Sequence, residues 1–328
     1  MIKVALVGAG RMGAIHARNA ALNPELDLCR IVDPVPEMAE KMAATYGAKI
    51  ATLEAVLADD SIPGLIIASS TDTHLDLAVR GVAAGKAVFC EKPIDLDLDR
   101  ARGAEAALTG PNVRLFVAFN RRFDPHFQAL KAKLDSGAVG VAESVHIVNH
   151  DPALPPKAFL PKSGGLFKDF TIHDFDMARW LFGEEPASIF AAASAVIADW
   201  IAEAGDVDTA KVVLQMPSGK LCTISNSRRS GYGYDQRIEI FGSKGLLRAD
   251  NVTNSTVSMW KNSGETADAI PFAFVDRYQE AYAREMAHFA DVAAGRCAPL
   301  VGYRDSVAAL ALAEAADKSF RTNAAVSL

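Results

Sequence analysis

The chain has 328 residues, half of them hydrophobic, with 23 glycines and a formal net charge of −6, enough for two domains with separate cores. It carries no basic run, so neither nucleic acid nor an anionic membrane surface is an expected partner, and no apolar stretch approaches the roughly 20 residues that span a bilayer. Cys29, Cys90, Cys222 and Cys297 are scattered without metal-ligand spacing, which points to free thiols in a reducing cytoplasm and to no metal site.

The amino terminus goes straight into a β-rich run, Ile2-Lys3-Val4-Ala5-Leu6-Val7, with no charged segment and long apolar stretch of a secretory leader. Gly8-Ala9-Gly10-Arg11-Met12-Gly13 follows and leads into a helical stretch. G-x-G-x-x-G between a strand and a helix is a dinucleotide fingerprint. Gly8 permits the tight turn, Gly10 lets backbone approach a pyrophosphate, and Gly13 lets helix and strand pack closely. The helix amino terminus then offers free N–H groups to the phosphates.

A second strand, 26–32, ends in Asp33, 20 residues after Gly13. An acid there binds the ribose hydroxyls of adenosine and repels a 2′-phosphate, so NAD is expected in preference to NADP. A turn or helix-cap acid is the structural alternative for Asp33, and Arg11 in the glycine loop can touch either phosphate. The alternation continues with helix 37–46, a short strand near residue 50, helix 53–57, strand 65–68, helix 74–84, strand 87–90, helix 99–108 and strand 115–119. Apolar strands alternating with helices predict a parallel sheet covered on both faces, with ligands at the carboxyl ends of its strands. Ser69-Ser70-Thr71 with His74, Glu91-Lys92-Pro93 and Asn120-Arg121 fall at such ends. Lys92 can hold a hydroxyl or carbonyl oxygen and help move a proton, or can be a surface lysine in a loop. His74 suits a helix start or pocket wall better than a catalyst.

After residue 120 the pattern changes. A helix over 125–134 precedes a strand over 141–149 and a proline-rich segment, 151–161. Strand-like runs with turn signals follow, at 188–197, 209–216, 221–227, 237–241, 246–249 and 256–260, then two helices, 277–294 and 305–319. Consecutive strands with short turns predict a mostly antiparallel sheet, and a sheet covered on one face only favours a partner subunit. The expected fold is therefore α/β: residues 1–120 form an NAD-binding Rossmann parallel sheet, and 121–328 form a C-terminal α/β domain with an open sheet, for substrate and oligomerisation.

Within the second half, Asp169-Phe170-Thr171-Ile172-His173-Asp174-Phe175-Asp176 concentrates the chemistry. On a helix, Asp169, His173 and Asp176 share one side, with Phe170 and Asp174 turned elsewhere. A carboxylate one turn before an imidazole can fix its tautomer and raise its basicity, though a capped, solvated helix start has the same letters. The three could also be read as metal ligands, but no further ligand stands out. Tyr232-Gly233-Tyr234-Asp235 and Arg228-Arg229 interrupt the strands. Tyrosine hydroxyls can bind substrate oxygens or the rings can pack, and the arginines can meet an anion or end a strand in solvent.

Three blocks together resemble the family that includes glucose–fructose oxidoreductase and the inositol dehydrogenases: Gly8 through Gly13, Glu91-Lys92-Pro93, and Asp169 four residues before His173. Within it, the nearest likeness is to myo-inositol 2-dehydrogenases. It rests on Phe119-Asn120-Arg121-Arg122-Phe123-Asp124-Pro125, on Gly164-Gly165 through Met177-Ala178-Arg179, on Gly205-Asp206-Val207-Asp208-Thr209, and on Ser225-Asn226-Ser227-Arg228-Arg229 with Tyr232 to Asp235. The resemblance implies a catalytic trio of Lys92, Asp169 and His173. Cofactor contacts are expected from Gly8, Gly10, Arg11, Met12, Gly13, Asp33, Ser70, Thr71, His74, Glu91 and Lys92, and substrate contacts from Asp176 and Tyr234, with Asn149, His150, Asp151 and Arg121 as further polar groups. It also implies NAD, a homo-oligomer (a tetramer) and oxidation of a ring secondary alcohol to a ketone, myo-inositol being the expected substrate. Scyllo-inositol or a pyranose is the alternative substrate, and a non-catalytic dinucleotide-binding sensor is the alternative role.

Overall fold

A computed structural model describes all 328 residues. The chain divides into two compact units, Met1–Phe123 with Glu280–Leu310, and Asp124–Gln279 with Ala311–Leu328. The expected boundary lies at 120/121; in the structure the first unit also takes in the late segment 280–310.

The first unit is built on six parallel strands: β1 (Ile2–Val7), β2 (Leu26–Val32), β3 (Lys49–Ile50), β4 (Gly64–Ile67), β5 (Ala87–Glu91) and β6 (Leu115–Ala118), in the order β3-β2-β1-β4-β5-β6. Helix crossovers cover both faces, so β4, β5 and β6 are buried at every residue, which is why they read as unbroken apolar runs. The strand order reverses between β1 and β4, the place where a doubly wound sheet opens a crevice for a ligand. The stretch expected as one helix over 99–108 is two short ones, Leu98–Gly103 and Glu105–Leu108; Gly103 at the break has the weak helix propensity that permits it. The late helix Gln279–Ala293 returns to this unit because Phe289 meets Phe89 of β5 edge-on at 5.5 Å, an aromatic pair that buries both rings.

The second unit holds a seven-stranded sheet. Its strands are β7 (Ala142–His150), β8 (Ser188–Ser194), β9 (Thr209–Gln215), β10 (Leu221–Ser227), β11 (Asp235–Gly242) and β12 (Gly245–Ala249). A separate hairpin follows, β13 (Ser258–Lys261) with β14 (Gly264–Ala267), and β15 (Val326–Ser327) closes the main sheet. The order is β12-β11-β7-β10-β9-β8-β15, antiparallel throughout except that β7 and β10 run parallel. In β9, Ala210, Val212 and Leu214 are buried while Lys211, Val213 and Gln215 are exposed, the period-2 signature of a sheet with one face in a core. The other face presents Phe190, Val213, Leu221 and Phe241 to solvent.

The segment 169–176 is not one α-helix. Phe167–Thr171 winds as a π-helical turn and the α-helix proper runs Ile172–Phe182, ending at Gly183 in the left-handed region (φ +66°). Asp169 thus sits on the wider turn and His173 at the start of the α-helix. No helix is long and apolar enough to cross a membrane.

Candidate active site

The glycine loop connects β1 to the helix Arg11–Leu22. A Cβ on Gly13 would stand 2.0 Å from the Gly8 carbonyl oxygen, and one on Gly8 would stand 2.5 Å from the Ser69 nitrogen. Both glycines are therefore required by close backbone approach. Gly10 differs: a Cβ there would meet no protein atom within 4 Å. Gly10 is also the helix N-cap and has no side chain to satisfy the first amides. Backbone that needs no side chain, facing open space at a helix amino terminus, fits a pyrophosphate. Asp33 accepts the Ala9 amide at 2.6 Å and the Val35 amide at 2.8 Å, so its carboxylate is held beside the glycine loop where the ribose acid of an NAD site belongs. Arg11 is exposed and Met12 half-buried.

At the end of β4, Thr71–Thr73 forms a 3₁₀ turn, with Ser70 exposed. His74 is buried, its Nδ1 at 2.8 Å from the Pro93 carbonyl and its Nε2 at 3.2 Å from the Ser69 carbonyl. It braces the β4 and β5 strand ends against one another. The Lys92–Pro93 bond is cis, and Lys92 is half-buried at the end of β5. Glu91 turns inward: Oε1 is 2.6 Å from His16 Nε2, and Oε2 accepts the Lys92 amide at 3.2 Å. Burial pushes the Glu91 carboxyl up, but the His16 hydrogen bond and the charges of His16, Lys92 and His74 more than offset it and hold it below the usual range.

In the second unit, Asp174 supplies the anchor that the sequence reading turned away from the site. It is fully buried, and its Oδ2 accepts the side-chain amides of Asn149 (2.9 Å, from β7) and Asn226 (2.8 Å, from β10). Asn226 Oδ1 accepts the Thr171 hydroxyl at 2.7 Å, and Asn149 Oδ1 accepts the Gln236 amide at 2.6 Å. Asn149 thus spends one amide hydrogen and one carbonyl lone pair inside the sheet–helix interface. The result is that the segment bearing Asp169 and His173 is bolted to the middle of the sheet. Asp174 is offset by one position from His173, so helical spacing turns it away from the Asp169–His173 side, and only the fold brings the buried asparagines to it.

Arg228 corrects another expectation. It is 1% exposed, neither a solvated strand end nor a surface anion site. Its Nη1 is 3.7 Å from Asp169 Oδ2 and its Nη2 3.7 Å from Asp206 Oδ2. Asp206 Oδ1 in turn accepts the Leu166 amide at 2.9 Å, so the approach to the π turn is fastened through the same group. Asp176 is fully buried and 3.8 Å from Arg179. Tyr234 is buried with its ring edge-on to Tyr278 at 5.8 Å, whereas Tyr232 is exposed and donates its hydroxyl to Asp235 at 2.6 Å. His150 Nε2 lies 2.8 Å from the Ser225 hydroxyl, and Arg121 is buried in the first unit. No three His, Cys, Asp or Glu side chains converge as a metal cluster.

Residues 2–119 match the model of an oxidoreductase family with an NAD-binding Rossmann fold, and 127–248 match the GFO/IDH/MocA C-terminal domain. The chain is 43% identical to an inositol 2-dehydrogenase of Rhizobium meliloti, covering 100% of this chain and 99% of the relative. It is 33% identical to a scyllo-inositol 2-dehydrogenase (NAD(+)) of Bacillus subtilis, covering 100% and 96%. Its structure is similar to that of a putative myo-inositol dehydrogenase from Sinorhizobium meliloti, with a TM-score of 0.96, 43% identity and coverage of 100% and 99%.

Proposed function

This chain belongs to the GFO/IDH/MocA oxidoreductase family, and from that premise we propose that it oxidises myo-inositol to the 2-ketone with NAD. The observation that carries the chemistry is the Asp169–His173 segment, anchored to the sheet through Asp174, in a chain whose glycine loop leaves open space at Gly10. The substrate rests on full-length similarity to inositol 2-dehydrogenases.

NAD, when bound, supplies the hydride acceptor. The glycine loop and the first amides of its helix hold the phosphates, and Asp33 holds the ribose and disfavours a 2′-phosphate. His173 takes the proton of the reacting hydroxyl, which raises the electron density that expels the carbinol hydride. Asp169 orients His173 and stabilises its cation. Lys92 donates a hydrogen bond to the reacting oxygen. Asp176 and Tyr234 are the proposed substrate contacts; a polyol hydroxyl buried without a partner costs about 1–3 kcal/mol, so each such contact matters to stereoisomer choice. Scyllo-inositol is the second reading, favoured by the relative named for it. We infer further that the enzyme works in the cytoplasm in inositol catabolism, as a homotetramer. The open sheet face with Phe190, Val213, Leu221 and Phe241 supports self-association.

The test is NAD reduction followed with myo-inositol, scyllo-inositol and glucose. Turnover on myo-inositol with the highest kcat/KM is expected. A chain that reduces NAD only with another polyol overturns the substrate, and one that reduces it with none overturns the enzyme. Lys92→Ala is expected to abolish turnover and keep NAD binding.

A further inference from the structure

We propose that His16 is a positioning residue for Lys92: from the second turn of the glycine-loop helix it clamps the Glu91 carboxylate, and Glu91 clamps the Lys92 backbone amide. The proposal rests on the catalytic role given to Lys92 above, and it concerns the first unit alone.

The geometry is closed and dry. His16 and Glu285 are fully buried and Glu91 is 6% exposed. His16 Nε2 stands 2.6 Å from Glu91 Oε1, and Glu91 Oε2 accepts the Lys92 N–H at 3.2 Å. The imidazole meets Phe89 edge-on at 4.6 Å and Tyr282 at 6.0 Å, so the ring has no room to swing away. Its other nitrogen, Nδ1, lies 4.0 Å from Glu285 Oε1, beyond hydrogen-bond reach, and neither Nδ1 nor either Glu285 oxygen has a hydrogen-bond partner in the protein. Two acids therefore flank one histidine, and only one of them is bonded to it.

The charge assignment follows from that asymmetry. Burial, and then the Glu91 charge, pushes the Glu285 carboxyl well above its ordinary range, while the donors on both Glu91 oxygens hold Glu91 below its own, so of the two acids Glu91 is the one whose ionised form is favoured. The charged and titratable groups facing Glu91 are His16 on the glycine-loop helix, Glu285 on the late helix, His74 after β4, and Cys90 and Lys92 beside it in β5 and at its end. Because a carboxylate cannot donate, Nε2 carries the proton in this contact. An ionised carboxylate buried at a strand end is costly unless it is bonded; here both oxygens are used, one to the helix that opens at the dinucleotide loop and one to the backbone of Lys92. The same clamp thus sets the height of Lys92 relative to the loop that receives the cofactor. Glu91, expected as a cofactor contact, thereby also serves the site through this backbone.

The experiment compares His16→Leu, His16→Asn and His16→Gln in the full-length protein, with Lys92→Ala alongside. It records kcat, polyol KM, NAD affinity by titration, and the pH profile of kcat. His16→Leu removes the donor, and His16→Asn moves it short by a methylene. Both are expected to lose about 10- to 100-fold in kcat with NAD affinity within about threefold of wild type. Both should gain a new acid-side ionisation, as Glu91 loses its partner and takes a proton at higher pH. His16→Gln, which keeps an N–H at similar reach, is expected to restore most of kcat and the wild-type profile. Wild-type kcat and pH profile in His16→Asn overturn the clamp, as does a His16→Gln variant that loses as much as His16→Leu. Should His16→Leu fail to fold, the Asn and Gln pair decides alone. If Lys92→Ala itself turns over normally, the functional reading fails; if Lys92→Ala is dead while the His16 variants match wild type, the clamp alone fails.

Discussion

Asn226 donates its side-chain amide to the Asp174 carboxylate at 2.8 Å, although 52 residues separate them. With Asn149 on the same oxygen, this buried contact holds the helix that begins with Ile172 against the centre of the second sheet. Asp174→Ala leaves two buried amides without an acceptor. The expected cost is about 2–4 kcal/mol in urea or thermal unfolding of the second unit. NAD affinity, which depends on the glycine loop of the first unit, should stay within about twofold under conditions where the variant is folded. A variant as stable as wild type would remove the anchoring role.

Gly10 and Gly13 look alike in the motif and differ in space. Gly13→Ala drives a methyl into the Gly8 carbonyl, so it is expected to lower Tm and abolish NAD binding together. Gly10→Ala meets nothing in the protein. It should keep Tm within a few degrees and still weaken NAD binding by about tenfold or more, because the methyl occupies the phosphate's space. Calorimetric titration beside a thermal melt separates the two.

Asp33 holds the Ala9 amide beside the glycine loop and is the acid proposed to hold the ribose. Asp33→Ser removes the charge that opposes a 2′-phosphate. The NAD-to-NADP ratio of kcat/KM is expected to fall by one to two orders of magnitude, about 1.4–2.8 kcal/mol of discrimination. A ratio that stays at the wild-type value would show that another group, such as Arg11 of the glycine loop, sets the preference.

Asp235 gives a pH test. Burial pushes its carboxyl up, but the hydrogen bonds from Arg237, Tyr232 and Asn251 outweigh it and bring it down to about 2. A depressed acid contributes stability above its unfolded value, near 3.8, and loses it as pH falls toward 2. Arg237 is 43% exposed on its side chain, so screening leaves about 1 kcal/mol of the effect. Asp235→Asn should therefore unfold more easily than wild type at pH 6–7, and the two melting curves should converge by about pH 2–3. A gap that persists at low pH would assign the loss to packing and not to charge.

Much of the first unit was legible from the chain, because its signals are local. An apolar strand, three glycines at fixed offsets and an acid 20 residues on all act within one β-α-β unit, and the tight approaches at Gly8 and Gly13 are short-range facts. The second sheet was legible as strands with turns, but the parallel pairing of β7 with β10 was not, since nothing local encodes which distant strand a given one joins. The shared face of Asp169, His173 and Asp176 assumes a regular α-helix, whereas Phe167–Thr171 is a π turn; just before it, Asp206, 40 residues away in the chain, holds the Leu166 amide and leaves no room for a Cβ on Gly165, contacts that no local spacing records.

By itself the sequence determined the dinucleotide loop, the acid that accompanies it and the alternation that builds a parallel sheet. These are matters of residue type at short spacing, where backbone geometry leaves few alternatives; Lys92, Asp169 and His173 stand out only by their joint resemblance to a family's motifs. Only the tertiary structure decided which buried polar groups complete them: Asn149 and Asn226 around Asp174, Arg228 between Asp169 and Asp206, and His16, 75 residues from the Glu91 that it holds. A polar side chain removed from water must find its partner wherever the fold places one, and that partner is set by the packing of distant elements, which no local pattern records.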